Sequence, residues 1–116
     1  MQFQTINLSG SYLNYAVAIA QGYSDVFFDH DGTVMSKDPD DMVAYDVHRA
    51  ISDGNFIFKI VYDMRISLRV EQKWIASAQL ADRCDIIAFG STPQEAIIRL
   101  YCLVKIGESI EIISVR

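Results

Sequence analysis

The chain reads as an α+β domain, a mainly antiparallel sheet with two principal helices at about 9–21 and 93–106. Three observations carry this. A run from Leu13 to Ala20 places Leu13, Ala16, Val17 and Ala20 at three-and-four spacing. Thr92-Pro93-Gln94-Glu95 supplies a capping threonine, a proline at the first helical position and a glutamate three residues after the cap. Between and after them lie short alternating segments rich in β-branched and aromatic residues.

Taken in order, Ser9 is placed to cap the first helix, and Gly22 is the residue best able to end it in a left-handed conformation. Tyr23 to Asp29 reads as a strand, "HDG" (30–32) as a tight turn, "TVMS" (33–36) as a return strand and "KDPDD" (37–41) as a polar loop. Met42 to Gly54 has no clear period beyond one helical turn through "DVHRAISDG". Residues 55–71 alternate from Lys59 onward and predict one long strand or two short ones. In "KWIASAQLADRCDIIAFG" (73–90) both ends look extended and the middle is open. The second helix buries Ala96, Ile97, Leu100 and Val104 and stops at Gly107, and "SIEIISV" (109–115) closes the chain as a strand.

A length of 116 residues fits one domain, 1–116, and 51% apolar residues suffice for a packed core. No apolar run approaches the ~20 residues of a membrane helix, and the start "MQFQTINLSG" lacks the basic and apolar regions of a secretory signal. Two cysteines, Cys84 and Cys102, lack metal-site spacing, and a reduced, cytosolic chain is the simpler expectation. The net charge of −5 is concentrated early: residues 1–58 hold eight aspartates against Lys37 and Arg49. Without a basic cluster to displace counterions, direct nucleic-acid binding is disfavoured. Asp29, Asp31, Asp38, Asp40 and Asp41 form a candidate acidic surface, for contact with a basic partner or simply for solvation.

"VFFDHDGTVM" (26–35) has the letters of a haloacid-dehalogenase-type nucleophile loop: apolar strand, Asp29, any residue, Asp31, Gly32, Thr33. That chemistry also needs a Ser or Thr after a second strand, a distant lysine, a late acidic pair and a parallel sheet with crossover helices. Asp40-Asp41 comes too early, and 116 residues leave little room for such crossovers, so a hairpin turn is the better reading. A calcium loop from Asp29 fails too, because ligand positions fall on Thr33 and Met35. His30 and His48 lack co-ligands, and Cys84 sits between acids that disfavour a thiolate. The residues therefore predict no catalytic set, no metal site and no cofactor.

Against these elements the chain resembles the NinX-like proteins, a family of small bacteriophage and prophage proteins catalogued as a domain of unknown function. "LSGSYLNYAVAIAQGY" (8–23) is similar to that family's opening helix, Leu-(Ser/Thr)-Gly followed by Leu-(Asp/Asn)-(Tyr/Trp)-Ala-Val-Ala and a glycine. Tyr45 with Gly54, "RISL" (65–68), "WIA" (74–76) and "GSTPQEAIIRLYCLVKIGESIEI" (90–112) follow in the family's order. Where the family has Trp and then Gly-Pro, this chain has Ile51 and then Asn55-Phe56. The resemblance implies a phage-encoded accessory protein made in a bacterial host cytosol, with no catalytic residue to carry over. Tyr45, Trp74, Arg99 and Lys105 are the candidates for a ligand- or partner-binding surface, because helix ends and core packing do not account for them.

Two functional expectations follow. The first is a non-enzymatic protein that binds a bacterial host protein, with inhibition of a defence system such as CRISPR as its most concrete form. The second is a small-ligand module, a homo-oligomer sequestering a nucleotide-like anion with Arg65, Arg69, Arg99 and Lys105 as donors. A phosphatase is the remote third.

Overall fold

A computed structural model describes residues 2–37, 52–79 and 85–112, together with the backbone of residues 44–46. The chain opens with β1 (Gln2–Gln4) and a single 3₁₀ turn (Thr5–Asn7), followed by α1 (Gly10–Ala20). Next come β2 (Phe27–Phe28), β3 (Val34–Lys37), β4 (Ala44–Asp46) and α2 (Gly54–Met64). It ends with β5 (Ser67–Val70), β6 (Trp74–Gln79), β7 (Asp85–Gly90), α3 (Pro93–Lys105) and β8 (Ser109–Glu111). Each described ladder is antiparallel, as the α+β reading requires. The described strands are divided among three small sheets: β1-β8, β2-β3-β4 and β5-β6-β7.

Helix α3 is the hub. Thr92 Oγ1 accepts the Glu95 amide at 3.1 Å, and Pro93 occupies the first turn, as the capping pattern predicts. Glu95 turns back to accept the Ser91 amide at 2.9 Å, one residue before the cap. The helix buries Ala96, Ile97, Ile98, Leu100 and Cys102, whereas Val104 at its end is only half-buried. It lies on the inner face of β6 and β7, where Ala76 pairs with Ala88 and both are fully buried. Alanine at these positions lets the helix approach the sheet closely, and α1, α2 and the 3₁₀ turn pack around its other sides.

Helix α1 buries Leu13, Ala16 and Val17 as expected, and Tyr15 and Ala18 with them, while Ala20 is half-buried. Tyr15 stacks on Phe28 at 5.1 Å and donates its hydroxyl to the Val26 carbonyl at 3.2 Å, fastening α1 to β2. Gly22, at φ +86°, ends the helix as the sequence implies. Ser9 has the extended backbone of a cap, but its side chain accepts no capping hydrogen bond.

The largest correction concerns residues 55–71. Instead of one or two strands, the first part is helix α2, and β5 is confined to Ser67–Val70. Asp53 caps α2, accepting the amides of Asn55 and Phe56 at 3.0 and 3.1 Å, and Ile57 and Ile60 are its buried residues. The chain leaves α2 through Arg65 in the left-handed region at φ +53°. The expected strand from Tyr23 to Asp29 shrinks to Phe27–Phe28. Ala44–Asp46 is strand where no clear period was visible, and residues 47–51, within the suggested helical turn, lie outside the described residues. Cys102 is a buried free thiol, and Cys84 lies outside the described residues. No helix among the described residues is long and apolar enough to cross a membrane.

Candidate functional site

The Asp-rich motif is a hairpin turn. β2 and β3 pair with Phe28 opposite Val34, and the Gly32 amide donates to the Asp29 carbonyl at 3.1 Å. The Asp29 carboxylate is turned inward on its own loop, where Oδ1 accepts the amides of Asp31 at 2.9 Å and Thr33 at 2.8 Å. Gly32, at φ +80°, takes the conformation that closes such a turn. Asp31, Gly32 and Thr33 face Gly10, Ser11 and Asn14 of α1 across a polar cleft of about 320 Å³. Asp31 is exposed and Asp29 half-buried; Asp38, Asp40 and Asp41 lie outside the described residues.

The four binding candidates fall on separate elements. Tyr45 lies in β4 opposite Ser36, on the sheet that contains the hairpin. Trp74 opens β6 between Val70 and Gly90 and packs half-buried against the core. Arg99 has an internal structural task. Its Nε donates to the Leu8 carbonyl at 2.6 Å and its Nη1 to the Phe89 carbonyl at 2.8 Å, with Glu95 at 3.5 Å from Nη1. Its acidic partner is thus Glu95, one helical turn away, and the carbonyls of Leu8 and Phe89 complete its contacts.

Lys105 is exposed in the last turn of α3, where a cation complements the helix dipole. It borders a groove of about 290 Å³ between α2 and α3. Phe56, Ile60, Met64 and Tyr101 form the apolar side of this groove, and Lys59 and Asp63 share the rim with Lys105. Phe56 and Tyr101 meet edge to face at 5.7 Å. Burial, followed by the neighbouring Cys102, raises the Tyr101 phenol above its usual pKa. The hydrogen bond and charge of Asp63 raise that of the Lys59 ammonium. Burial pushes the Cys102 thiol up to about 12, which disfavours the reactive thiolate.

Exposed apolar side chains outside the sequence candidates stand on α2 and on the β5-β6-β7 sheet. Phe58 and Tyr62 stand out from α2, and Leu68 and Val70 are exposed on the edge strand β5. On the outer face of the β5-β6-β7 sheet, Ile75 pairs with Phe89 and Ser77 with Ile87. Phe89 and Ile87 there are 41% and 38% exposed. The signal for this last feature was present: in "DIIAFG" both alternating sets are apolar, which is more than a one-sided sheet needs. Among the described residues, no group of three or more acidic, histidine or cysteine side chains is arranged to hold a metal ion. In comparison with known proteins, no family model matches the chain and no curated protein is found similar to it.

Proposed function

We propose that this chain is a small phage- or prophage-encoded accessory protein that binds a bacterial host protein in the host cytosol and performs no catalysis itself. Blocking a host defence system is its most concrete role. The observation that carries the reading is the outer face of β6 and β7, where Ile87 and Phe89 stay exposed beside Ile75. An antiparallel sheet that meets water usually alternates polar residues outward, and an apolar outward row on a rigid ladder suits protein contact. The resemblance of the first and last helices to NinX-like proteins supports the phage origin. The acidic first half adds a field that attracts a basic partner.

The test is affinity capture from a bacterial host with the native chain and with Ile87→Ser and Phe89→Ser. The expected result is one host protein retained by the native chain, reconstituted from purified components and lost from both variants while their circular dichroism is unchanged. Expression should also change the outcome of phage infection. Capture of nothing, with infection unaltered, removes the basis for the reading.

The α2–α3 groove favours a second reading, a module for a small anionic ligand with an aromatic part. An aromatic-lined depression with a lysine at its rim offers stacking area and one fixed charge. Mass spectrometry of natively purified, then denatured protein should find the retained molecule, and Lys105→Ala should release it. An empty protein with no thermal shift across a nucleotide panel rejects this reading.

A further inference from the structure

Helix α2 carries two parallel stripes on the side turned away from its buried residues, Ile57 and Ile60. One is aromatic: Phe58 and Tyr62 are 71% and 74% exposed. The other is charged: Lys59 Nζ lies 2.7 Å from Asp63 Oδ2, and both side chains are well exposed. At about 100° per residue the two stripes flank one surface, and each consists of two positions one turn apart. The midpoint of the first is position 60 and that of the second is position 61. A single point on the helix therefore bisects both stripes to within one residue.

We propose that this surface is the interface of a homodimer, in which two copies of α2 pack antiparallel across a two-fold axis near positions 60 and 61. In such an isologous contact, what one residue meets is fixed by symmetry. An axis between positions 60 and 61 brings position 58 to within about one residue of the level of 62, and position 59 to within about one residue of the level of 63. Along one edge Phe58 meets the partner's Tyr62, and Tyr62 meets the partner's Phe58. Along the other edge Lys59 meets the partner's Asp63, and Asp63 meets the partner's Lys59. The ion pair within each helix thus becomes a ring of four alternating charges. A parallel pair of helices would set Lys59 against Lys59 and Asp63 against Asp63, so the charges select the antiparallel form. The 11-residue helix is about 16 Å long, which makes the contact small and the dimer weak and concentration-dependent. This inference stands apart from the host-protein reading, which uses the outer face of β6 and β7; its charged stripe also borders the α2–α3 groove of the ligand reading, and Lys105→Ala, outside the helix contact, should release a ligand without altering association.

Sedimentation of the full chain over about 1 to 500 µM, a span chosen for weak association, should follow a monomer–dimer equilibrium. Phe58→Ser and Tyr62→Ser, at exposed positions, should keep the circular dichroism of the native chain and weaken association at least about tenfold. Lys59→Asp opposes two acids across the axis, and Asp63→Lys opposes two amines, so each variant should be monomeric alone. Mixed in equal amounts, the two variants pair acid with amine at both crossings and should associate again. A monomer at every concentration overturns the proposal. So does a dimer indifferent to Phe58→Ser and Lys59→Asp, or a mixture of the two charge variants that stays monomeric.

Discussion

Arg99 Nε donates a 2.6 Å hydrogen bond to the carbonyl of Leu8, a residue 91 positions earlier. Its Nη1 donates to Phe89 at 2.8 Å, so one guanidinium ties the N-terminal segment and the end of β7 to the middle of α3. The side chain is only 15% exposed, which limits the ability of water to replace these bonds. Arg99→Ala should therefore lower unfolding free energy by about 2–4 kcal/mol, since hydrogen bonds from a charged group are among the stronger ones. Arg99→Lys should recover only part, because an ammonium point lacks the fork that reaches both carbonyls. Urea denaturation of the three proteins measures both differences, and a loss below about 0.5 kcal/mol for alanine would deny Arg99 this fastening role.

Gly90 controls how closely β7 delivers the chain into α3. A Cβ built there would lie 2.5 Å from the Ala96 backbone nitrogen, a contact that only backbone movement can relieve. Gly90→Ala should cost about 1–3 kcal/mol through overpacking. Thr92→Ala, which removes only the cap on the Glu95 amide, should cost about 1 kcal/mol. Thermal unfolding should place the glycine variant below the threonine variant, and the reverse order would mean that the β7–α3 junction yields easily.

Helices α3 and α2 show why some of the fold is legible in the sequence and some is not. α3 was readable because Thr92, Pro93, Glu95 and Gly107 mark its ends chemically, independent of what packs on it. α2 reads as strand because Phe56, Ile57, Phe58, Ile60, Val61 and Tyr62 are residues that favour strands, and alternation from Lys59 reinforces that pattern. Ile57, Ile60, Val61 and Met64 also keep helical spacing, and Asp53 is a good cap, so two periods competed. Packing against α3 favoured the helix, information that a local pattern does not contain. Among the site candidates, Lys105 reaches a groove, whereas Arg99 was conspicuous for a structural reason. Phe58, Tyr62 and Phe89 carry no such signal, because an apolar letter alone does not reveal which face is left uncovered.

Cys102 makes stability sensitive to alkali. Burial raises its thiol from 9.0 to about 12, so the folded protein keeps the proton that the unfolded chain releases. The unfolded state therefore binds fewer protons, and stability must fall as pH rises from about 9 towards 12, by up to about 1.4 kcal/mol per pH unit. The raised phenol of Tyr101 acts in the same direction. Below pH 9 neither contributes a slope. Cys102→Ala should remove the cysteine part of the alkaline slope in urea titrations, at the cost of a small cavity. Alkylation of Cys102 at pH 8 should proceed only through unfolding and so accelerate with urea.

Asp29 offers the sharpest separation of structural and chemical readings. Its Oδ1 serves the amides of Asp31 and Thr33 within one turn, and that task requires an acceptor oxygen more than a charge. Asparagine retains such an oxygen, so Asp29→Asn should stay within about 1 kcal/mol of the native chain. Asp29→Ala leaves both amides without this partner and should lose about 1–2 kcal/mol, measured by urea denaturation. A nucleophile behaves in the opposite order of consequence: asparagine would abolish turnover while leaving the fold intact. Because Asp29 joins two antiparallel strands here, no magnesium-dependent release of phosphate from aryl phosphates or nucleotides is expected from the native protein. Release that requires magnesium and disappears in Asp29→Asn would reverse the reading and make the hairpin a phosphoryl-transfer loop.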